Sequence, residues 1–418
     1  MIDALTHQEV RGTGGLLETD LGELRVGPLS FLHHLADGTS VTNDDEIHGA
    51  RLRDADPVPS PPMIDVPMRL DDITAPWLTA ALREGGLDVA DVVEVTEDVI
   101  GDVAGMTGAI ARLHIDYAPG GPAGPATLIA KCPLDDDLNR MINSFTRMYE
   151  RESNFYRCFA DDVAVRAPRC YYNGHQADVD QHMVLLEDIG DARPGDNNAG
   201  LDGADAEAAI DALASLHGRY WGRIDDHSDV IGFETPLFRE GIPIMQEAWQ
   251  HLLDARPGLV PDDLQQAVHQ RYAEDWDRWL AVEQATPKTL THGDFRADNL
   301  LFGADGVTVI DWQMLCRASP GMDLAWLLGT SFADDVIVDA EPDLLARWVH
   351  GVAAAGGPSL EIDDARRHVR LFAYFWVTNV AHVFSREFEE AHLLELQETL
   401  AERMIRACMR WELPDHPL

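Results

Sequence analysis

The chain has 418 residues, room for two or three compact units at roughly 150 residues each, so a peptide-sized or single-motif protein is excluded. Its 32 Lys and Arg against 73 Asp and Glu leave a formal charge of −41, which argues against a nucleic acid or membrane partner, because both need a positive surface. No run of about 18 apolar residues suggests a membrane span, and the opening MIDALTHQEV lacks the basic and apolar regions of a secretory signal. The cysteines, Cys132, Cys158, Cys170, Cys316 and Cys408, are odd in number and scattered without a C-x-x-C pair. That usage reads as a reduced, cytoplasmic protein without structural zinc. Lysine occurs only as Lys131 and Lys288. In a chain whose other strong bases are all arginine, each asks for a reason.

In chain order, residues 1–65 are polar and glycine-rich and close with the PVPSPP run at 57–62, which can neither continue a helix nor sit inside a sheet. This N-terminal extension is either a disordered leader or an arm that packs on the body or on a second subunit. Leu21, Leu24, Val26, Leu29, Phe31 and Leu32 favour the arm. The first helix signal is Thr74 as N-cap with Pro76 in the first turn, then LTAALRE and a glycine stop. From Val92 the runs VVEVTEDVI, AIARLHIDY and TLIAKC, separated by glycine-rich turns, predict a three-stranded antiparallel meander. Met141, Phe145, Met148, Phe155 and Phe159 recur at helical spacing and predict one helix from about Leu138 to Phe159. PRCYYN and HMVLLEDI are two further strands. After Gly190 the pattern is helical, interrupted only by a short hairpin of NLLF and TVIDW. The expected fold class is therefore α+β. A small sheet-rich lobe, residues 66–187, joins a large mostly helical lobe, residues 188–418.

The most specific segment is THGDFRADNLLF at 291–302, followed after a glycine-containing turn by Val309-Ile310-Asp311-Trp312. It sets Asp294, Asn299 and Asp311 on turns beside short apolar strands. Carboxylate and amide oxygens are what the hard Mg²⁺ ion accepts, and phosphoryl transfer needs one carboxylate for the nucleophile's proton plus an Asn and an Asp to hold metal against phosphate. Each residue alone is an ordinary turn-former. Their order and spacing together favour chemistry.

HGDFRADN and IDW resemble the H-G-D-x-x-x-x-N and I-D-[FW] signatures of the aminoglycoside phosphotransferase and choline kinase-like superfamily, and GDFRADNLLF…VIDWQ…SPGMDLAWLL is closest to its ecdysteroid kinase-like branch. The resemblance covers roughly residues 68–412 and implies a two-lobed protein kinase-like fold, ATP and Mg²⁺ as cofactors, and a small-molecule hydroxyl acceptor. It implies Asp294 as catalytic base, Asn299 and Asp311 as metal ligands, and His292 and Asp323 as braces of the catalytic loop. It also makes Lys131 the phosphate-contacting lysine and Glu152 its helix partner. The turn holding Gly101, Gly105, Thr107 and Gly108 would cover the phosphates, although it departs from G-x-G-x-x-G. Leu186-Glu187-Asp188-Ile189 would be the hinge whose backbone reads the adenine edge, with Glu187 and Ile189 beside the nucleotide. Asp298 is expected to be a turn residue and Lys288 a surface residue.

The same rows hold no P-loop and no dinucleotide fingerprint. Only residues 312–322 separate Asp311 from Asp323, too short for a peptide-docking activation segment. Among acceptors, the branch favours a hydrophobic alcohol or hydroxyacyl-type metabolite over an aminoglycoside; a nucleotide-binding regulator without turnover is the non-enzymatic alternative. Phe372, Tyr374, Phe375 and Trp376 read as core, His217 as a packed helix residue, and His382 with Glu387, Glu389 and Glu390 as a solvated face.

Overall fold

The computed structural model describes residues 64–100, 108–134, 137–176, 181–227, 229–384 and 391–416. All but the last two residues of the extension expected at 1–65 lie outside them, as do Gly101, Gly105, Thr107 and the acidic run at 387–390.

Helix α1 (Ala75–Glu84) starts where the N-cap signal placed it, with Thr74 Oγ1 accepting the Trp77 N–H at 3.4 Å. Its apolar side, Leu78, Ala81 and Leu82, is buried. It packs on a five-stranded antiparallel sheet of order β1 (Val92–Val99), β2 (Gly108–Tyr117), β3 (Thr127–Pro133), β5 (Gln181–Glu187), β4 (Cys170–Gln176). The predicted meander and both later strands are all present. Strand periodicity then decides which face each residue of β3 takes. Leu128, Ala130 and Cys132 join α1 in one small core with Leu113, Met183 and Leu185. Lys131, on the central strand between Ile110 and Val184, is left for the opposite face.

The span predicted as one helix is two, α2 (Asp137–Thr146) and α3 (Met148–Cys158), and α3 packs on β4 and β5. The break falls at Arg147, whose φ of 54° is left-handed and ends the helical path. Asn143 stabilises the break: its carbonyl accepts the Arg147 N–H at 2.7 Å, and its Oδ1 accepts the Tyr149 N–H at 3.1 Å. Apolar spacing runs through the break unchanged, which is why periodicity merged the two helices.

The second part is mostly helical. It comprises α4 (Gly203–Tyr220), α5 (Pro236–Glu240), α6 (Ile242–Ala255), α7 (Asp262–Glu274), α8 (Trp276–Ala285), α9 (Gly321–Thr330), α10 (Asp334–Ala354), α11 (Ile362–Phe384) and α12 (Ala391–Arg410). Its core centres on Trp279, Phe295, Trp312, Trp348 and Phe372, and Tyr374, Phe375 and Trp376 belong to it as expected. The α+β architecture of a small antiparallel sheet followed by a helical part is the one anticipated. The hairpin β8 (Leu300–Gly303) to β9 (Gly306–Val309) is present and gains a third strand, β6 (Arg193–Pro194). A second small sheet, β7 (Thr289–Thr291) with β10 (Cys316–Ala318), was not anticipated, since three residues are too few to show alternation. No helix among the described residues is long and apolar enough to cross a membrane, and all five cysteines are free.

One expectation fails outright. Lys288 is not on the surface: it is buried, with Nζ donating to Glu283 Oε1 at 2.7 Å and also to the Glu283 carbonyl. Lys288 follows α8 closely, so its side chain folds back over the helix end and neutralises a carboxylate that is itself fully buried.

Candidate active site

The site grows from four short pieces of chain. The first is β3, whose Lys131 Nζ lies 2.9 Å from Glu152 Oε1 of α3 and 2.6 Å from Asp311 Oδ1 beyond β9. Burial alone would lower the lysine's proton affinity, but Asp311 and Glu152 more than offset this and raise it. Glu152 shows the mirror effect: desolvation raises it, yet Lys131 and His182 hold it well below the usual carboxylate range. His182, on β5, supports Glu152 from behind, Nε2 to Oε2 at 3.3 Å, and stacks on Tyr149. Gly108, at the start of β2, sits over this lysine, and a Cβ there would lie 3.1 Å from the Cys132 carbonyl oxygen and 3.7 Å from Lys131 Cε.

The second piece is the loop 291–299. Gly293 takes φ of 81°, and a Cβ on it would approach the Met314 carbonyl oxygen to 2.0 Å, so only glycine fits. The loop's shape is fixed by Asp323 of α9, whose Oδ2 accepts the His292 N–H and Oδ1 the Gly293 N–H, both at 2.8 Å. His217 of α4 reaches the same carboxylate at 3.2 Å, the packed helix position expected for it. The His292 ring bridges the loop to the strand after it. Its Nε2 donates to the Ile310 carbonyl at 2.9 Å, and its Nδ1 accepts the Asp294 N–H at 3.2 Å, an arrangement that requires the Nε2–H tautomer.

Asp294 and Asn299 meet directly: the Asn299 amide nitrogen donates to Asp294 Oδ2 at 3.0 Å and to the Asp294 carbonyl at 2.8 Å. That leaves the amide oxygen as the atom that could hold a metal. Trp326 of α9 donates its indole N–H to Asp294 Oδ1 at 2.7 Å and stacks on Trp376, centroids 4.1 Å apart. Burial raises the Asp294 carboxyl above the usual range, with Arg296 opposing and Asp311 adding to the rise. Asp298 is more than a turn residue: its Oδ1 accepts the Asn197 N–H at 2.7 Å, tying the loop to the segment after β6.

The third piece is Asp311 itself, in the left-handed region at φ 64°, a conformation an aspartate tolerates better than most side chains. Its Oδ2 accepts from Gln313 Nε2 at 3.3 Å. The fourth is the end of β5. The Glu187 carboxylate accepts the Arg169 N–H at 3.1 Å, its own N–H donates to the Arg169 carbonyl at 2.8 Å, and the Ile189 carbonyl accepts the Ala192 N–H at 3.1 Å. Asp188, between them, is anchored by Arg112 at 2.7 Å and 3.1 Å.

The structure therefore joins Lys131, Glu152 and Asp311 by direct contact, joins Asp294 to Asn299, and sets His292 and Asp323 as braces. Glu187 and Ile189 stand apart from this cluster's hydrogen bonds. Sequence reasoning missed Trp326, His182, Gln313, and Arg296, which contacts both Asp294 and Asp298. Arg296, Gln313 and Trp326 carried a signal, their places inside the HGDFRADN, VIDWQ and SPGMDLAWLL segments; His182 carried none.

Comparison with known proteins fixes the class. Residues 144–372, more than half of the chain, match the phosphotransferase enzyme family APH, and the chain belongs to this family. No curated protein is similar enough to count as a match. Among solved structures, the chain is similar to the GDP complex of aminoglycoside 2'-phosphotransferase-IIIa (15% identity, 76% of this chain and 94% of that one, TM-score 0.45). It is also similar to a choline kinase from Cryptosporidium parvum (14%, 76% and 89%, TM-score 0.48) and to an ethanolamine kinase from Plasmodium vivax (11%, 74% and 82%, TM-score 0.46).

Proposed function

We propose that this phosphotransferase is an ATP- and Mg²⁺-dependent kinase that moves the γ-phosphoryl group onto a hydroxyl of a small molecule. The observation that carries the reading is Lys131 Nζ held between Glu152 and Asp311, residues contributed by three separate elements. An ammonium placed so is a rigid point charge for phosphate, and arginine would not fit its place.

The donor set suits Mg²⁺. No group of three or more His, Cys, Asp or Glu converges as a metal cage among the described residues, whereas Asn299 and Asp311 offer one amide and one carboxylate oxygen. Mg²⁺ is commonly held by one or two such protein oxygens plus phosphate and water. Bound there, it would neutralise charge on the phosphates. In this reading Asp294 accepts the acceptor hydroxyl's proton. The hydroxyl oxygen bonds the γ-phosphorus, the bond from that phosphorus to the β–γ bridging oxygen breaks, and its electron pair leaves with ADP. His292, Asp323 and Asn299 hold Asp294 in place for that step.

The short segment 312–322 supports a small-molecule acceptor, because β10 within it pairs back onto β7. Of small-molecule acceptors we favour a hydrophobic alcohol or hydroxyacyl-type metabolite, on the GDFRADNLLF and SPGMDLAWLL resemblance. The test is ATP consumption by the full chain with panels of alcohols, hydroxyacyl thioesters and aminoglycosides. Turnover confined to aminoglycosides would overturn the acceptor reading, and no turnover with any panel, nor ATP hydrolysis without one, would overturn the kinase reading.

A further inference from the structure

Arg296 is the one basic side chain besides His292 in the 291–299 loop, the proposed mechanism leaves it without a task, and its surroundings give it one. The side chain is only 12% exposed and carries a full charge between acidic neighbours. Its Nη1 is paired tightly with Asp298 Oδ2, while its Nε is 3.3 Å from one oxygen of Asp294 and 3.4 Å from the other. The first contact is an anchor. The second is long and shared, beyond the 2.7–2.9 Å typical of a charge-assisted bond. Nη2 has no hydrogen-bond partner among the described residues.

A purely structural role fits poorly. The loop is already tied down without the guanidinium: Asp298 Oδ1 and N–H both bond Asn197, at 2.7 Å and 3.2 Å, and the Ala297 N–H bonds Ser331 Oγ at 3.0 Å. The loose contact with Asp294 is also unfavourable for catalysis if it persists, since it covers carboxylate lone pairs that the acceptor's proton needs. A guanidinium with one arm fixed and two donor positions weakly used or unused is prepared to exchange carboxylate for a phosphoryl group, whose oxygens match its fork.

We propose that Arg296 binds the γ-phosphate of the nucleoside triphosphate, staying on Asp298 through Nη1 and turning Nε and Nη2 from Asp294 to the phosphoryl oxygens. The proposal rests on the kinase reading above. Arrival of the triphosphate then does two things together: it places positive charge on the group being transferred, and it uncovers the base. ADP, which has no γ-phosphate, leaves Arg296 on Asp294.

That difference supplies a test independent of turnover. Titration calorimetry on the full chain compares MgADP with the magnesium complex of a non-hydrolysable ATP analogue, in the wild type, Arg296→Gln and Arg296→Lys. Arg296→Gln is expected to weaken the analogue by about 10-fold to 100-fold, the usual range for a hydrogen bond to a charged group, and to leave MgADP within about twofold. Arg296→Lys is expected to fall between and keeps the test open if the glutamine variant fails to fold. Equal loss for both nucleotides, or no loss for either, would overturn the proposal while leaving the kinase reading intact. A wild type that binds neither nucleotide would overturn both.

Discussion

Phe155 and Trp312 lie face to face, ring centroids 3.8 Å apart and planes 4° from parallel, and both are fully buried. Phe155 follows Glu152 by one turn of α3, and Trp312 follows Asp311 directly, so the stack fastens together the two carboxylates that share Lys131. Phe155→Ala should cost about 3–5 kcal/mol of unfolding free energy, the range for emptying a large aromatic site. It should also weaken MgATP binding. Denaturant unfolding and calorimetry measure the two effects; a nucleotide affinity unchanged in a stable variant would show that the stack serves packing alone.

Asp294→Asn and Asp311→Asn should fail differently. Removing the base lowers kcat by at least about 100-fold and leaves MgATP affinity nearly intact, because the oxygens of Asn299 and Asp311 remain. Asp311→Asn loses nucleotide affinity first. Parallel kinetic and calorimetric measurements on the two variants separate the roles, and equal loss of nucleotide affinity would show that Asp294 is misassigned.

The buried pair Lys288–Glu283 predicts a stability effect without an activity effect. Lys288→Met strands a carboxylate that also accepts the Ser319 N–H at 3.3 Å, and should destabilise the fold by about 3–5 kcal/mol. The double variant Lys288→Met with Glu283→Leu should recover most of that loss. Chemical denaturation of the single and double variants gives the comparison.

His368 sets a pH dependence. Burial, with a further contribution from His217, pushes its imidazole down to about 4, and Nδ1 is bonded to Ser319 Oγ at 2.9 Å. Its folded pKa lies below the unfolded value near 6.5, so the unfolded chain binds the extra proton between the two. Stability should therefore fall as pH drops from about 6.5 to about 4, by up to about 3 kcal/mol from this residue. His368→Gln should flatten that part of the melting-temperature profile. A profile unchanged by the substitution would place the loss elsewhere.

What could be read in advance was what lies close together along the chain. Asp294, Asn299 and Asp311 fall within 18 positions and announce their chemistry by spacing, and the short apolar runs around Lys131, set off by turn residues, read as strands. Partners brought in by the fold leave no such trace. Trp326 reaches Asp294 from 32 positions away and His182 reaches Glu152 from 30; His182 stands in no motif, and Trp326 stands in SPGMDLAWLL with nothing there to say which residue it touches. The helix break at Arg147 escaped because hydrophobic spacing records which side faces the core, not whether the backbone continues.

The two lysines have a practical side. Both are buried and held by carboxylates, so a reagent that acylates ammonium side chains meets a surface with no lysine on it. Labelling at position 131 can proceed only while the bridge to Glu152 and Asp311 is open, and its rate becomes a clock for that opening. The second lysine, in the helical part, supplies an internal standard on the same molecule.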